Sequence, residues 1–278
     1  MMEPELLITR ANGIARIRFN RPAERNAVTH EMLTGLRDEL DRADADPAVR
    51  CIILDGAGDH FMAGGNVTAW GRLRDAPLAE REAYFRDLMG LGAPLFDTLA
   101  GLEKPLIVGV RGYAAGAALS FVTAADFVIA DETARFLFAN VRVALVPDAG
   151  LSYNLPRIVG PRQATRLSIL GSDLDAVQAR DLGIIDEIVM GGALEAALTT
   201  LAASLIAAPA TAVREIKRLM RASEAATPSE QYALETEAIL RCIAEDDFLE
   251  AVAAFAERRR PIFPASPKCG GEGKPRAS

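Results

Sequence analysis

The segment Phe61-Met62-Ala63-Gly64-Gly65-Asn66 follows a short apolar run and an Asp-Gly turn. Adjacent glycines let a backbone come close to a bound molecule and leave N–H groups free to donate. A second segment of small residues, Gly112-Tyr113-Ala114-Ala115-Gly116-Ala117-Ala118, separates an apolar run at Leu106 from a helical stretch ending near Ala125. Such a strand-to-helix junction bares the first N–H groups of the helix, where negative charge is stabilised. The two segments could together aim two backbone donors at one developing oxyanion. The plainer readings are a glycine turn and close helix–sheet packing through alanine.

Two further places carry charge in unusual settings. Asp148 sits in Val146-Pro147-Asp148-Ala149-Gly150, surrounded by apolar and small residues. If it caps a helix its pKa falls, whereas if it is buried without a partner its pKa rises, which suits acid–base work. Arg25-Asn26-Ala27, shortly after Arg21-Pro22, puts a basic residue in a loop where it could meet phosphate or simply face water.

Other chemistries are poorly supplied. The chain has 2 histidines, His30 and His60, too few for a Ser-His-Asp triad with a plausible frame or for a histidine metal site. Ser152 lacks a G-x-S-x-G frame, and no phosphate-binding G-x-x-x-x-G-K or G-x-G-x-x-G follows a strand. Cys51, Cys242 and Cys269 have neither metal nor redox spacing, as expected in a reducing compartment. A net charge of -7 gives no basic face for nucleic acid. The apolar stretch from Leu106 to Ala130 is broken by Arg111, Gly112, Gly116 and Asp126, so no membrane span is expected. The N-terminus has the form of neither a signal nor a transit peptide, and a cytoplasmic location is the expectation.

The elements that must hold these segments follow from periodicity. Ala15, Ile17 and Phe19 alternate with Arg16 and Arg18, a half-buried strand. Thr29 precedes Met32, Leu33, Leu36, Leu40 and Ala43 at helical spacing and is the expected N-cap. Apolar runs at 51–54, 106–110 and 127–130, with a weaker one at 184–189, read as strands separated by helices, an α/β fold with right-handed crossovers. From about Ala193 the chain reads as helices at 194–206, 211–221 and 229–255, broken at Pro209 and Pro228. We therefore divide it into 1–192, an α/β core, and 193–263, a helical part. The Pro-, Gly- and Lys-containing tail, 264–278, is expected to be disordered.

Taken in order, these segments resemble the crotonase, or enoyl-CoA hydratase/isomerase, family. The resemblance runs from about Leu7 to Phe263. It takes in Arg21-Pro22 with Arg25-Asn26-Ala27, and Phe61 to Val67, which is similar to F-x-A-G-G-D-[LIV]. Lys104-Pro105 follows, then Gly112 to Ala118 with Ala125-Asp126. Pro147-Asp148-Ala149-Gly150, Leu155-Pro156-Arg157, Gly160 and Ala179 to Val189 continue the series, which closes with Asp247-Phe248 and Arg258-Arg259-Arg260-Pro261.

The resemblance implies a spiral of ββα units with a C-terminal helical part through which members form trimers or dimers of trimers. It implies an acyl-CoA thioester substrate, coenzyme A being part of that substrate and no separate cofactor being used. By position the backbone donors to a thioester enolate are Gly65 and Ala117, the latter where the family commonly has glycine. Arg25, Ala27, Ala63, Asn66 and Val67 match positions lining the coenzyme A site, with Gly64, Tyr113 and Gly116 beside them. Asn66 stands where an aspartate is usual. The acyl pocket is expected between Trp70 and Phe96, where Tyr84, Phe85, Leu88, Met89 and Leu91 could face the substrate or form ordinary helix core.

The reaction is the finer question. The two glutamates of the family's hydratases correspond to Ser120 and Asn140, neither of which can act as a carboxylate acid–base. Asp148 matches the proton-shuttling aspartate of some Δ3,Δ2-enoyl-CoA isomerases, a reaction that needs one base. A hydratase with non-standard residues and a non-catalytic homologue remain as alternatives. A dehalogenase-type aspartate nucleophile would need a histidine between Phe61 and Gly112, where the chain has none.

Overall fold

The computed structural model describes residues 3–263, so the tail at 264–278 lies outside the described residues. The first strands, β1 (Leu6–Ala11) and β2 (Ile14–Phe19), pair antiparallel through a two-residue turn. Asn12 and Gly13 both have positive φ, 52° and 80°, which matches the right-handed twist of the flanking strands. In β2, Ala15, Ile17 and Phe19 are buried as their alternation predicts. Helix α1 (His30–Ala45) begins where Thr29 accepts a hydrogen bond from the Met32 N–H, and Met32, Leu33, Leu36, Leu40 and Ala43 lie on its buried face.

The chain then winds through β3 (Cys51–Gly56), the one-turn helix α2 (Val67–Trp70), the long helix α3 (Leu78–Gly101) and β4 (Leu106–Val110). Two β–β–α passages follow. The first is β4 with β5 (Tyr113–Ala115) and α4 (Ala118–Ala124), and the second is β6 (Phe127–Asp131), β7 (Arg135–Leu137) and α5 (Leu151–Val159). After α6 (Pro161–Leu170) come β8 (Asp173–Asp175), α7 (Ala176–Asp181) and β9 (Glu187–Val189). One sheet has the order β1-β2-β3-β4-β6-β9, parallel from β2 onward. A smaller sheet, β5-β7-β8, lies beside it. The last strand is shorter than its sequence suggests. Ile184 and Ile185 are buried in the connection before β9, so their apolar character serves packing rather than pairing.

The helical C-terminal part comprises α8 (Leu194–Ile206), α9 (Ala210–Ala222), α10 (Pro228–Ile243) and α11 (Asp246–Ala256). The single helix expected over 229–255 is therefore two. Glu245 is extended, with φ -91° and ψ 148°, and Asp246 and Asp247 fall in the first turn of α11. Consecutive acids are favoured at a helix N-terminus and gain nothing in a helix interior.

The main sheet is buried on both sides. A large cluster joins Ile52 and Leu54 to α1, α3 and α4, while the opposite face, Cys51, Ile53, Ile107 and Ile129, packs on Leu194, Leu198 and Ala202 of α8. Gly109 permits that approach, since a Cβ there would lie 2.6 Å from Leu198. The division drawn at residue 193 thus cuts through a packed core. Further along, Lys217 on α9 donates to the Lys104 carbonyl (2.6 Å) and to Asp126 (2.5 Å), and Arg221 donates to the carbonyls of Ala100 (2.6 Å) and Leu102 (3.0 Å).

Candidate active site

The loop after β3 and the junction before α4 are stitched together along their backbones. Met62 donates to Tyr113 O and Ala115 donates back to Met62 O, each at 3.0 Å, while Ala63 donates to Arg25 O at 2.9 Å and Val28 to Gly64 O at 2.8 Å. Gly64 has φ 82°, and a Cβ on it would lie 2.4 Å from Ala115 O and 3.3 Å from the Ala117 nitrogen. Only glycine allows that approach. Gly65 is constrained from its other side by Trp70, whose ring would lie 2.5 Å from an added Cβ.

These contacts leave two backbone donors unused. Neither the Gly65 nor the Ala117 N–H hydrogen-bonds to another described residue, and both residues line the same cavity. Ala117 precedes α4, so its N–H stands at the positive end of that short helix.

Asn26 is the hidden brace of this arrangement. It is 0% exposed and held at φ 56°. Its Nδ2 donates to the carbonyls of Ala57 (3.0 Å), His60 (2.8 Å) and Phe61 (3.1 Å), while its Oδ1 accepts from the Arg21 N–H at 2.8 Å. His60 performs a similar task across the gap, its Nδ1 accepting from the Tyr113 N–H at 3.2 Å. Its role is in the brace between loops and was not legible from the sequence.

The opposite wall brings in Asp148. It does not cap α5, whose N-cap is Gly150 with no side-chain cap bond. Its carboxylate instead accepts from Asn140 Nδ2 at 3.4 Å, and that same Nδ2 donates to Val146 O at 3.0 Å. Ser120 is 1% exposed and donates to the main-chain oxygen of Asp148 at 3.0 Å. Burial raises the Asp148 pKa above the ordinary carboxylate value, and the Asn140 hydrogen bond pulls partly the other way. The turn that follows is tight, with Ala149 at φ 47° and Gly150 at 86°. Asp148 is the only ionisable side chain among the described residues lining the cavity.

The third wall is α3. Phe85, Leu88, Met89, Gly92, Leu95 and Phe96 follow one face of the helix and line the cavity, which has a volume of about 110 Å³. Tyr84 and Leu91 do not line it: Tyr84 stacks edge-on to His30, and Leu91 packs on the main core.

The sequence-identified residues thus separate into two groups. Asp148, Asn140, Gly65, Ala117, Ala63, Val67 and Gly116 line the cavity. Arg25, Ala27, Gly64, Asn66, Tyr113 and Ser120 do not. Arg25 is exposed with φ 53°, and its carbonyl holds Ala63. Ala27 is buried, and its carbonyl accepts from Arg21 at 2.8 Å. Asn66 caps α2 through the Ala69 N–H at 3.0 Å, a task that an aspartate could equally perform.

An apolar cavity with two unused N–H donors and one carboxylate of raised pKa suits stabilisation of an oxyanion and transfer of a proton beside it. Comparison with known proteins points the same way. The sequence model described as enoyl-CoA hydratase/isomerase matches residues 9–266. The chain is 33% identical over 256 residues to a 1,2-epoxyphenylacetyl-CoA isomerase of Escherichia coli, covering 90% of this chain and 95% of that one. It is 30% identical to a trans-2-decenoyl-[acyl-carrier-protein] isomerase of Streptococcus mutans, covering 93% and 97%. Among solved structures, one described as a putative enoyl-CoA hydratase/isomerase from Mycobacterium abscessus superposes with a TM-score of 0.87 at 31% identity, covering 93% of this chain and 99% of that one. A putative enoyl-CoA hydratase from Streptomyces coelicolor gives 0.86 at 32%, covering 94% of each chain. With the crotonase fold and a family match along nearly its whole length, the chain belongs to the enoyl-CoA hydratase/isomerase family.

Proposed function

We propose that the chain is a double-bond isomerase acting on 3-enoyl-CoA thioesters, with Asp148 as its one acid–base group. The observation carrying this reading is that Asp148 alone among the described cavity-lining residues can gain or lose a proton. A 1,3-shift needs one such group, whereas hydration in this family draws on two carboxylates, whose positions hold Ser120 and Asn140.

The steps balance around that one carboxylate. Asp148 removes a proton from C2, and the C2–H electrons become the C1–C2 double bond of a dienolate as the thioester C=O electrons move to oxygen. The Gly65 and Ala117 N–H groups hold that oxyanion. The carboxylic acid then returns its proton to C4, the electrons shift to form C2=C3, and the thioester carbonyl is restored. Ser120 and Asn140 hold the main chain and side chain of Asp148, and in this reading they position it rather than exchange protons. The raised pKa favours the base, because a carboxyl poised nearer neutrality takes a carbon-bound proton more readily.

The loop around Arg25, Ala27 and Asn66 supports the coenzyme A portion through backbone placement of Ala63 and Val67. The exposed apolar side chains of α10 and α11, including Ile239, Leu249 and Phe255, supply a surface for assembly into a homotrimer or a dimer of trimers. No single helix among the described residues is long and apolar enough to cross a membrane.

The test is turnover of a 3-enoyl-CoA and a 2-enoyl-CoA side by side, with Asp148→Asn as control. Turnover of the 3-enoyl thioester that collapses in the variant supports the isomerase. Hydration of the 2-enoyl thioester that survives in the variant overturns it. Tight binding of acyl-CoA with no turnover of either would indicate a non-catalytic homologue.

A further inference from the structure

The helix that walls the cavity carries a feature that its stability does not explain. Gly90, Gly92 and Gly101 lie within α3, none has a positive φ, and a Cβ on any of them would meet nothing within 4 Å. A glycine that needs no special backbone angle and faces no close neighbour weakens a helix compared with alanine. Of the three, Gly92 alone lines the cavity. One helical turn before it stand Leu88 and Met89, and one turn after it stand Leu95 and Phe96, all on the same wall. The missing side chain therefore opens a slot one residue wide in an otherwise continuous apolar face.

The far side of that slot is closely packed. The Phe96 ring lies over Gly150, so close that a Cβ there would fall 2.1 Å from it, and it meets Tyr153 edge-on at 6.1 Å. Phe85, at the other end of the wall, is held edge-on to Trp70 at 5.2 Å. Leu95 and Leu99 are 3% and 2% exposed and close the bottom. At about 110 Å³ the cavity is of the same order as the roughly 150 Å³ apolar cavity known to take one benzene ring. That volume suits a compact group better than a long extended chain.

We propose that Gly92 is a specificity-determining residue, and that the slot it leaves admits a compact acyl group ending in a flat ring, packed against Phe96. Fixed aromatic edges favour edge-to-face or offset contact with such a ring, which a linear chain does not return. The inference rests on the acyl-CoA reading of the site but not on which reaction follows, so its test uses binding alone.

Calorimetric titration of the full chain with saturated, unreactive 3-phenylpropanoyl-CoA, hexanoyl-CoA and dodecanoyl-CoA reads the preference directly. The ring-bearing ligand should bind about 10-fold or more tightly than dodecanoyl-CoA. Gly92→Leu should remove about 10-fold or more of the ring ligand's affinity and clearly less of hexanoyl-CoA's. Gly90→Leu, on the same helix but off the cavity, should leave both unchanged. Equal loss of both ligands in Gly92→Leu, an equal effect of Gly90→Leu, or a wild-type preference for dodecanoyl-CoA would overturn the proposal. Failure of the isomerase assay with the ring preference intact would leave this inference standing and remove only the proposed reaction.

Discussion

Asp148 is where residue chemistry and stability pull against each other. Its pKa is raised in the folded chain by burial, so the native state binds that proton more tightly than the unfolded state does. Stability associated with Asp148 is accordingly greatest below the unfolded carboxylate pKa and falls as pH rises through the folded one. At neutral pH the ionised group costs stability, and Asp148→Asn should raise Tm while lowering isomerase turnover by about 10²–10⁴-fold. Thermal unfolding and turnover measured on one preparation check both signs. Asn140 supplies the opposing influence, donating to the ionised form at 3.4 Å. Asn140→Ala should push the acid limb of the kcat/KM pH profile further upward, while Ser120→Ala, which loosens only the main chain of Asp148, should lower kcat without moving that limb. At this scale the sequence was half legible. Asp148 stood out because a carboxylate among Val, Pro and Ala needs a reason, and helix capping is not that reason. The tasks of Asn26 and His60 were hidden, because each is a set of bonds to backbone carbonyls and amides far away in sequence.

Elements place the two free N–H groups, and they do so with backbone rather than side chains. Ala117 has φ -58°, within the range that a proline ring imposes. Ala117→Pro therefore deletes the donor with little change in φ, and turnover should fall about 10²–10³-fold with one oxyanion donor gone. Acyl-CoA affinity, titrated separately, should change far less, since the donor matters most when charge develops on the oxygen. Asn26→Asp tests the brace beneath it. The substitution keeps the acceptor for Arg21 but turns donors toward Ala57, His60 and Phe61 into carboxylate oxygens facing three carbonyls. Leaving such buried acceptors unsatisfied costs about 1–3 kcal/mol each, so a clear fall in Tm is the expected result of thermal unfolding. The strands and α1 were readable because alternation and helical spacing report burial directly. The break between α10 and α11 was not, since no Pro or Gly marks it and the run of acids at 245–247 reads equally well as a solvated helix face.

The whole molecule departs from the division suggested by its pattern of strands and helices. That pattern changes at about Ala193, but burial does not, because α8 covers the second face of the main sheet. Ile53, Ile107 and Ile129 are each 2% exposed or less, and all three pack in the cluster completed by Leu194, Leu198 and Ala202. Fully burying one such side chain is worth about 1.5–3 kcal/mol, so stripping α8 from these three isoleucines removes roughly 5–9 kcal/mol by the same measure. That is comparable to the entire stability of a typical domain, about 5–15 kcal/mol. A chain ending at residue 192 should therefore fail to give a cooperative unfolding transition by circular dichroism. One ending at residue 209 keeps α8, along with the Ala208 carbonyl that accepts from Arg50 at 2.7 Å, and should retain a transition. It should melt below the full chain, because it lacks Lys217 and with it the buried contacts to Asp126 and Lys104. If the chain ending at 192 unfolds cooperatively on its own, the sheet does not need α8 over its second face to fold, and the boundary visible in the sequence is a true domain edge.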